Sequence, residues 1–186
     1  MSKSNFYLIP LAILIAAVMV AVGIFYKEKK QQTEVSLLRQ GQIGELVAPT
    51  VGFSAPFFNL KNINGTDVSL NELRGRNVLL VFAASNCDFC QQELSDLEKF
   101  VDAHRGLIAV FAIYNRESLS VLRDYGKENN INFSILIDRD GSVFQNYKVS
   151  GTPAHFLVDK SGIISAVWPG AAPLSALEGL AATLDK

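Results

Sequence analysis

The chain has 186 residues and a formal charge of -1, from 17 Lys and Arg against 18 Asp and Glu. Such a balance offers no basic field for a phosphate backbone, which excludes nucleic acid as a partner. The apolar fraction of 49% is drawn partly from one N-terminal stretch, and what remains is of a size to bury a single core.

After a short tail, residues 1-5, residues 6-26 (FYLIPLAILIAAVMVAVGIFY) carry no charge. As a helix this run crosses a hydrocarbon layer of roughly 30 Å. Pro10 falls in its first turn, and Tyr7 and Tyr26 stand near the two interfaces. A transmembrane anchor is expected. A cleaved signal peptide is the rival, since Ala21-Val22-Gly23 has the small-x-small form of a cleavage site, but the apolar run continues past it. Lys3 precedes the span and Lys27, Lys29 and Lys30 follow it, an asymmetry that by itself favours a cytoplasmic main domain. Residues 27-50 are polar and then mixed, and read as a linker.

Residues 51-186 read as one α/β domain. Phe57, Phe58 and Leu60, a turn at Asn64-Gly65, and Val68 predict a short β-hairpin, with the phenylalanines in the core. Leu70 to Arg74 then form a brief helix stopped by Gly75. The run Val78 to Ala84 is continuously apolar, as expected of a central parallel strand covered on both faces. Leu94, Leu97 and Val101 recur at helical spacing up to Gly106, so a helix starts at or just after Cys87, with His104 in its last turn. A strand at Leu107 to Tyr114, a polar helix at about 117-130 and a strand at Phe133 to Ile137 make a βαβ unit. The segment His155 to Val158, a turn at Lys160-Ser161-Gly162 and Ile163 to Trp168 form a strand hairpin. Leu174, Leu177, Leu180 and Leu184 close the domain as an amphipathic helix.

The chain has only two cysteines and two histidines. The cysteines stand three apart, as Cys87-Asp88-Phe89-Cys90, and neither His104 nor His155 lies at ligand spacing, so no metal site is expected. A disulfide closing so short a loop constrains the unfolded chain little, which argues against a structural staple. Redox chemistry is the better use of the pair. A thiol reacts as thiolate, and the positive end of a helix stabilises that anion. Cys87, at the helix start, is the attacking sulfur, and Cys90, one turn in, resolves the mixed disulfide. The exchange needs no cofactor.

Three stretches carry a resemblance: VLLVFAASNCDFCQQE, GTPAHFLVDKSG and the apolar anchor. Together the sequence resembles the thioredoxin superfamily and, within it, the membrane-anchored TlpA/ResA-like thiol-disulfide oxidoreductases, over about residues 51-186. The resemblance implies a thioredoxin-like fold, a central mixed sheet flanked by helices with an N-terminal β-hairpin and an inserted βαβ element. It implies that Pro153 follows a cis peptide bond against the dithiol, with the Thr152 backbone pairing an extended substrate. Glu93 matches the family's acidic residue near the dithiol, placed to accept the Cys90 proton; an ordinary solvated helix glutamate is the other reading. Gly170 matches a loop of the substrate cleft, and exposed Phe89 suits contact with a partner protein.

Several positions depart from the pattern. Asn86 replaces the usual aromatic residue before the first cysteine, and Asp88-Phe89 the usual proline or small residue between the cysteines, where Asp88 is expected with Phe89, Thr152 and Gly170 among the substrate-binding residues. The Asp88 charge opposes a thiolate at Cys87, so a less acidic thiol and a more reducing couple are expected than in strongly oxidising relatives. Val81 stands where ordinary thioredoxins carry a buried aspartate. His155 either tunes the thiols or contacts substrate, or is a strand side chain packed beside the helix; Trp168 reads as strand-end packing.

The expected enzyme reduces disulfides of extracytoplasmic proteins, in cytochrome c maturation or for a dedicated client, and is recycled by a membrane-bound thiol donor. It is expected as a monomer, single-pass in the bacterial cytoplasmic membrane, with its domain on the periplasmic side. Here anchored relatives outweigh the flanking charges, since disulfides form outside. A copper carrier using both thiols and His155 is an alternative, as is a catalytically idle binding module. A thiol peroxidase would need Pro at position 80 and Thr at 84, where the chain has Leu80 and Ala84.

Overall fold

The computed structural model describes residues 49-185, so the expected anchor at 6-26 and nearly all of the linker lie outside the described residues. Among the described residues no helix is long and apolar enough to cross a membrane.

Seven strands form one sheet in the order β2-β1-β5-β4-β3-β6-β7. They are β1 (Asn59–Asn62), β2 (Asp67–Ser69), β3 (Asn77–Ala83), β4 (Ile108–Asn115), β5 (Ser134–Asp138), β6 (Ala154–Val158) and β7 (Ile164–Pro169). The helices are α1 (Asp88–Ala103), α2 (Leu119–Glu128), α3 (Ser142–Asn146) and α4 (Leu174–Ala181). The expected hairpin at Asn64-Gly65 exists, and it also extends the sheet, because β1 pairs antiparallel with β5. The expected brief helix is a 3-10 turn at Leu70–Leu73. The helix expected at 117-130 is shorter, Leu119–Glu128, with Ser118 capping it by accepting the Val121 N–H.

β3 lies at the centre, parallel to β4 and antiparallel to β6. Its residues alternate between two cores. Leu79, Val81 and Ala83 pack with Leu97 and Phe100 of α1, Leu122 of α2 and Leu177 of α4, while Val78, Leu80 and Phe82 pack with Val143 and Phe144 of α3. The chain moves in one direction across the sheet from β3 to β4 to β5, and right-handed crossovers put α1 and α2 on the same face. Burial on both faces is why β3 reads as an unbroken apolar run.

One element was not anticipated and one expectation fails. The helix α3 has no periodic apolar pattern in so short a segment, yet it covers the second face with Phe144 packed edge-on to Phe82, ring centroids 5.0 Å apart. Of the phenylalanines expected in the core, Phe58 is buried but Phe57 is exposed. Alternation along extended backbone sends adjacent side chains to opposite faces.

The fold has two ends. At one, β3 ends and α1, β6 and the exit of β7 converge. At the other, the start of β3, the end of α1 and the β6-β7 turn converge, and two open cavities of about 630 and 590 Å³ lie there.

Candidate active site

The dithiol sits where β3 hands over to α1. Cys87 is the N-cap, with extended backbone (φ -98°, ψ 111°), and its sulfur accepts the Cys90 N–H at 3.2 Å. A helix leaves its first N–H groups without intrahelical partners, and here a sulfur atom takes one of them. The loop before the helix is tied on both sides. The Gln91 side-chain amide donates to the Ser85 carbonyl at 2.9 Å, and Glu117 accepts both the Ser85 N–H, at 3.0 Å, and the Ser85 hydroxyl.

Cys87 and Cys90 are joined as a disulfide. Cys87 is partly exposed, and Cys90, in the first turn of α1, is buried in the core. The Thr152–Pro153 bond is cis, Pro153 is buried, and the Thr152 carbonyl oxygen lies 3.5 Å from Cys87 Sγ. Only one of the two sulfurs is therefore open to a second molecule, and it faces the backbone of the Thr152–Pro153 turn.

Gly170 closes the same rim, its N–H donating to the Pro153 carbonyl at 2.8 Å. It does so at φ +81°, a conformation in which a side chain is strained. Phe89 is 62% exposed, and Asp88 is exposed beside it in the first turn of α1. Trp168, expected as packing, is instead partly exposed at the rim, its indole N–H donating to the Ala171 carbonyl at 3.3 Å. A polar cleft of about 440 Å³ adjoins the loop, lined in part by Ser85, Asn86, Asn115, Glu117 and Thr152.

Glu93 is not a solvated helix glutamate. It is 5% exposed, although it carries a carboxyl group on a helix. Its position three residues after Cys90 puts it on the same, inward face of α1. One oxygen, Oε2, accepts the buried Ala172 N–H at 2.9 Å, and the other, Oε1, lies 3.3 Å from His155 Nε2. His155 is itself fully buried, on β6 two residues beyond Pro153, with Nδ1 3.3 Å from the Trp168 carbonyl oxygen. It is thus a strand side chain packed against the helix, and what it packs against is the carboxyl of Glu93.

Two tyrosines lie further into the core. Burial, and then the phenol of Tyr125 and the charges of Glu117 and Glu93, hold the Tyr114 hydroxyl well above its ordinary range. Tyr114 stays neutral and acts as packing. Among the described residues no group of three His, Cys, Asp or Glu comes together as metal ligands. The arrangement fits thiol-disulfide exchange: one accessible sulfur, one buried resolving sulfur, a backbone edge for an extended chain and a buried acid on the resolving side.

Sequence reasoning located Cys87, Cys90, Thr152 and Pro153, which the structure brings together, and Glu93 and Gly170, which flank them. It missed Glu117 as the anchor of the Ser85 loop, and the pairing of Glu93 with His155. Both are contacts between elements remote in sequence, for which no local signal exists.

Comparison with known proteins agrees with this geometry. Residues 51–167 match the AhpC/TSA family. The thioredoxin-like protein YneN of Bacillus subtilis is 32% identical over 122 residues, 64% of this chain and 71% of that protein. The thiol-disulfide oxidoreductase ResA of Geobacillus kaustophilus is 28% identical over 127 residues, 68% of this chain and 73% of that one. Among solved structures, StoA from Bacillus subtilis superposes with a TM-score of 0.60 at 26% identity, covering 68% of this chain and 96% of that chain.

Proposed function

We propose, from the premise that this chain belongs to the AhpC/TSA family and is a thiol-disulfide oxidoreductase, that it is a membrane-tethered reductase of disulfides in extracytoplasmic proteins. The observation that carries the reading is the asymmetric pair at the start of α1, with Cys87 open and Cys90 buried. In the reduced enzyme the Cys87 thiolate attacks one sulfur of the client's disulfide, and the other client sulfur leaves as a thiolate and takes up a proton. The Cys90 sulfur, losing its proton, then attacks Cys87. The client departs with its second thiol, and the enzyme is left as the Cys87–Cys90 disulfide. A membrane-bound thiol donor supplies the two electrons that reset it.

Each remaining residue of the site has a place in this cycle. Glu93 accepts the Cys90 proton, being the buried acid one turn further along the same face. The Thr152 backbone, fixed by cis Pro153 and the Gly170 contact, pairs an extended client segment, and the Phe89 ring contacts the client's apolar surface. Asp88, in the first turn, disfavours the Cys87 thiolate and makes the couple more reducing. Residues 6-26 anchor the chain, and the domain lies on the periplasmic side.

The peroxidase reading lacks its chemistry here. Leu80 is buried in the interior of β3, and Ala84 follows the strand, where a peroxidatic site would need proline and threonine. A copper carrier would require His155 to turn from Glu93 toward the sulfurs, and its ring is fully buried.

In cells producing the full chain, Cys90→Ser is expected to trap a client through Cys87 as a mixed disulfide stable to alkylation. Cys87→Ser is expected to abolish insulin-disulfide reduction. A membrane-impermeant maleimide is expected to label reduced Cys87 in intact cells, and absence of labelling would move the domain to the cytoplasm. A reduction potential near about -120 mV, typical of strong oxidants, would overturn the reductive direction.

A further inference from the structure

The pair formed by Glu93 and His155 has a proton count that its geometry constrains. His155 Nδ1 faces a backbone carbonyl, Trp168 O, at 3.3 Å. A carbonyl only accepts, so Nδ1 carries a hydrogen. In a neutral ring that leaves Nε2 as a bare lone pair. Yet Nε2 faces Glu93 Oε1 at 3.3 Å, in a contact where both side chains are almost wholly shielded from water, and it has no other hydrogen-bond partner. A lone pair held against an ionised carboxylate, with no water between them, leaves two buried acceptors facing each other. One proton between them removes the conflict, as imidazolium against carboxylate or as imidazole against carboxylic acid.

We propose that His155 is a positioning residue for Glu93, the two side chains holding a single proton between them beside the dithiol. The inference rests on the redox reading of the site and names the device that governs its proton acceptor. With Oε1 occupied by that proton and Oε2 by the Ala172 N–H, the carboxyl is fixed in orientation on the face it shares with Cys90. When Cys90 attacks Cys87 and gives up its proton, the pair takes that proton up and becomes imidazolium against carboxylic acid, whichever partner held the first one. The excess proton then leaves to solvent, restoring the one-proton pair.

The other titratable groups around the pair come from separate elements. Cys90 and Asp96 lie on α1, and Asp96 is tied to Lys99 and the Leu174 N–H. Tyr114 on β4 and Tyr125 on α2 are both raised by burial and stay neutral. From β3 the cross-strand partner of His155 is Val81, which carries no charge. Glu117, which with Glu93 acts on Tyr114 and Tyr125, is tied to the Ser85 N–H and hydroxyl, so His155 is the group in contact with Glu93 that can share its proton.

The first test uses the oxidised wild-type full chain, with nitrogen-15 NMR of the imidazole and infrared spectroscopy of the Glu93 carboxyl assigned by Glu93→Gln. At neutral pH the expected result is a protonated Nδ1 and one further proton, on Nε2 or on Glu93. A bare Nε2 beside an ionised Glu93 would overturn the proposal. Neither readout requires turnover, so they stand apart from the insulin assay that tests the redox reading.

The second test is the pH profile of insulin reduction. Without the ring, a buried lone carboxyl favours its neutral form. His155→Gln is therefore expected to move the acid limb of the profile up by about one unit, a tenfold loss of rate at a fixed pH on that limb. Glu93→Gln is expected to remove the limb, and the double variant to behave as Glu93→Gln alone. A His155→Gln profile that overlays the wild type, or effects of the two changes that multiply independently, would overturn the proposal.

Discussion

The helix α1 carries a histidine–glutamate contact near each end, and the two have the same length. Near the dithiol, His155 and Glu93 meet at 3.3 Å with side chains 0% and 4% exposed; at the far end His104 and Glu178 meet at 3.3 Å with side chains 18% and 45% exposed. The far pair joins the C-cap of α1 to α4, and its imidazole also stacks on Phe100, ring centroids 4.3 Å apart. Water and salt screen that contact. The near pair is shielded from that screening. Identical residue types at equal distance thus act as a surface clasp in one place and as a proton-holding device in the other, and burial is the main difference between them.

The sharpest way to break this comparison is to remove the buried acid. Glu93→Ala leaves the Ala172 N–H and the His155 ring without their partner. It is expected to lower unfolding stability by about 3–5 kcal/mol, the range for breaking a buried pair, measured by denaturant titration of the oxidised protein. A loss no larger than that of a surface variant would mean that the buried contact is not a paired one.

Between the extremes stands Asp96, one turn beyond Glu93. It accepts the Leu174 N–H at 3.2 Å and Lys99 Nζ at 3.0 Å. Pro173, the N-cap of α4, offers no side-chain acceptor, so Asp96 caps that helix from a neighbouring one. The Lys99 contact and then the Leu174 N–H hold its carboxyl below the ordinary value of 3.8. A lowered acid contributes stability that is present above its unfolded value and is lost as pH falls through the folded one. Asp96→Ala is therefore expected to destabilise less than Glu93→Ala at neutral pH. Its difference from wild type should shrink as pH falls below about 3.8, and a difference that stays constant through acid would show the carboxylate charge to be irrelevant.

The smallest effect belongs to the exposed clasp. Glu178→Gln is expected to change stability by at most about 1 kcal/mol, with that change diminishing in high salt. It should leave the pH profile of insulin reduction untouched. A shift in that profile would tie the two ends of α1 together and undo the contrast between them.

Much of this site was legible along the chain because its signals are local. The apolar run of β3, the C-x-x-C pair and the spacing of Leu94, Leu97 and Val101 lie within a single strand-to-helix passage, where capping and periodicity act over a few residues. The resemblance in GTPAHFLVDKSG pointed in the same way to Thr152 and Pro153. Phe57 was misplaced and α3 was not foreseen for a related reason: single residues and short helices carry too little pattern to reveal which face is covered.

The sequence by itself thus determined the succession of strands and helices apart from α3, and the dithiol at a helix start, because hydrogen-bonding geometry and side-chain alternation are set by neighbours along the chain. It did not determine that Glu93 would be buried, or that His155 would be the group facing it. That was decided when β6 paired antiparallel beside β3, α1 packed across the same face, and the approach to α4 brought the Ala172 N–H to the carboxyl. A charge's protonation depends on what surrounds it in three dimensions, and only the packed elements supply those surroundings.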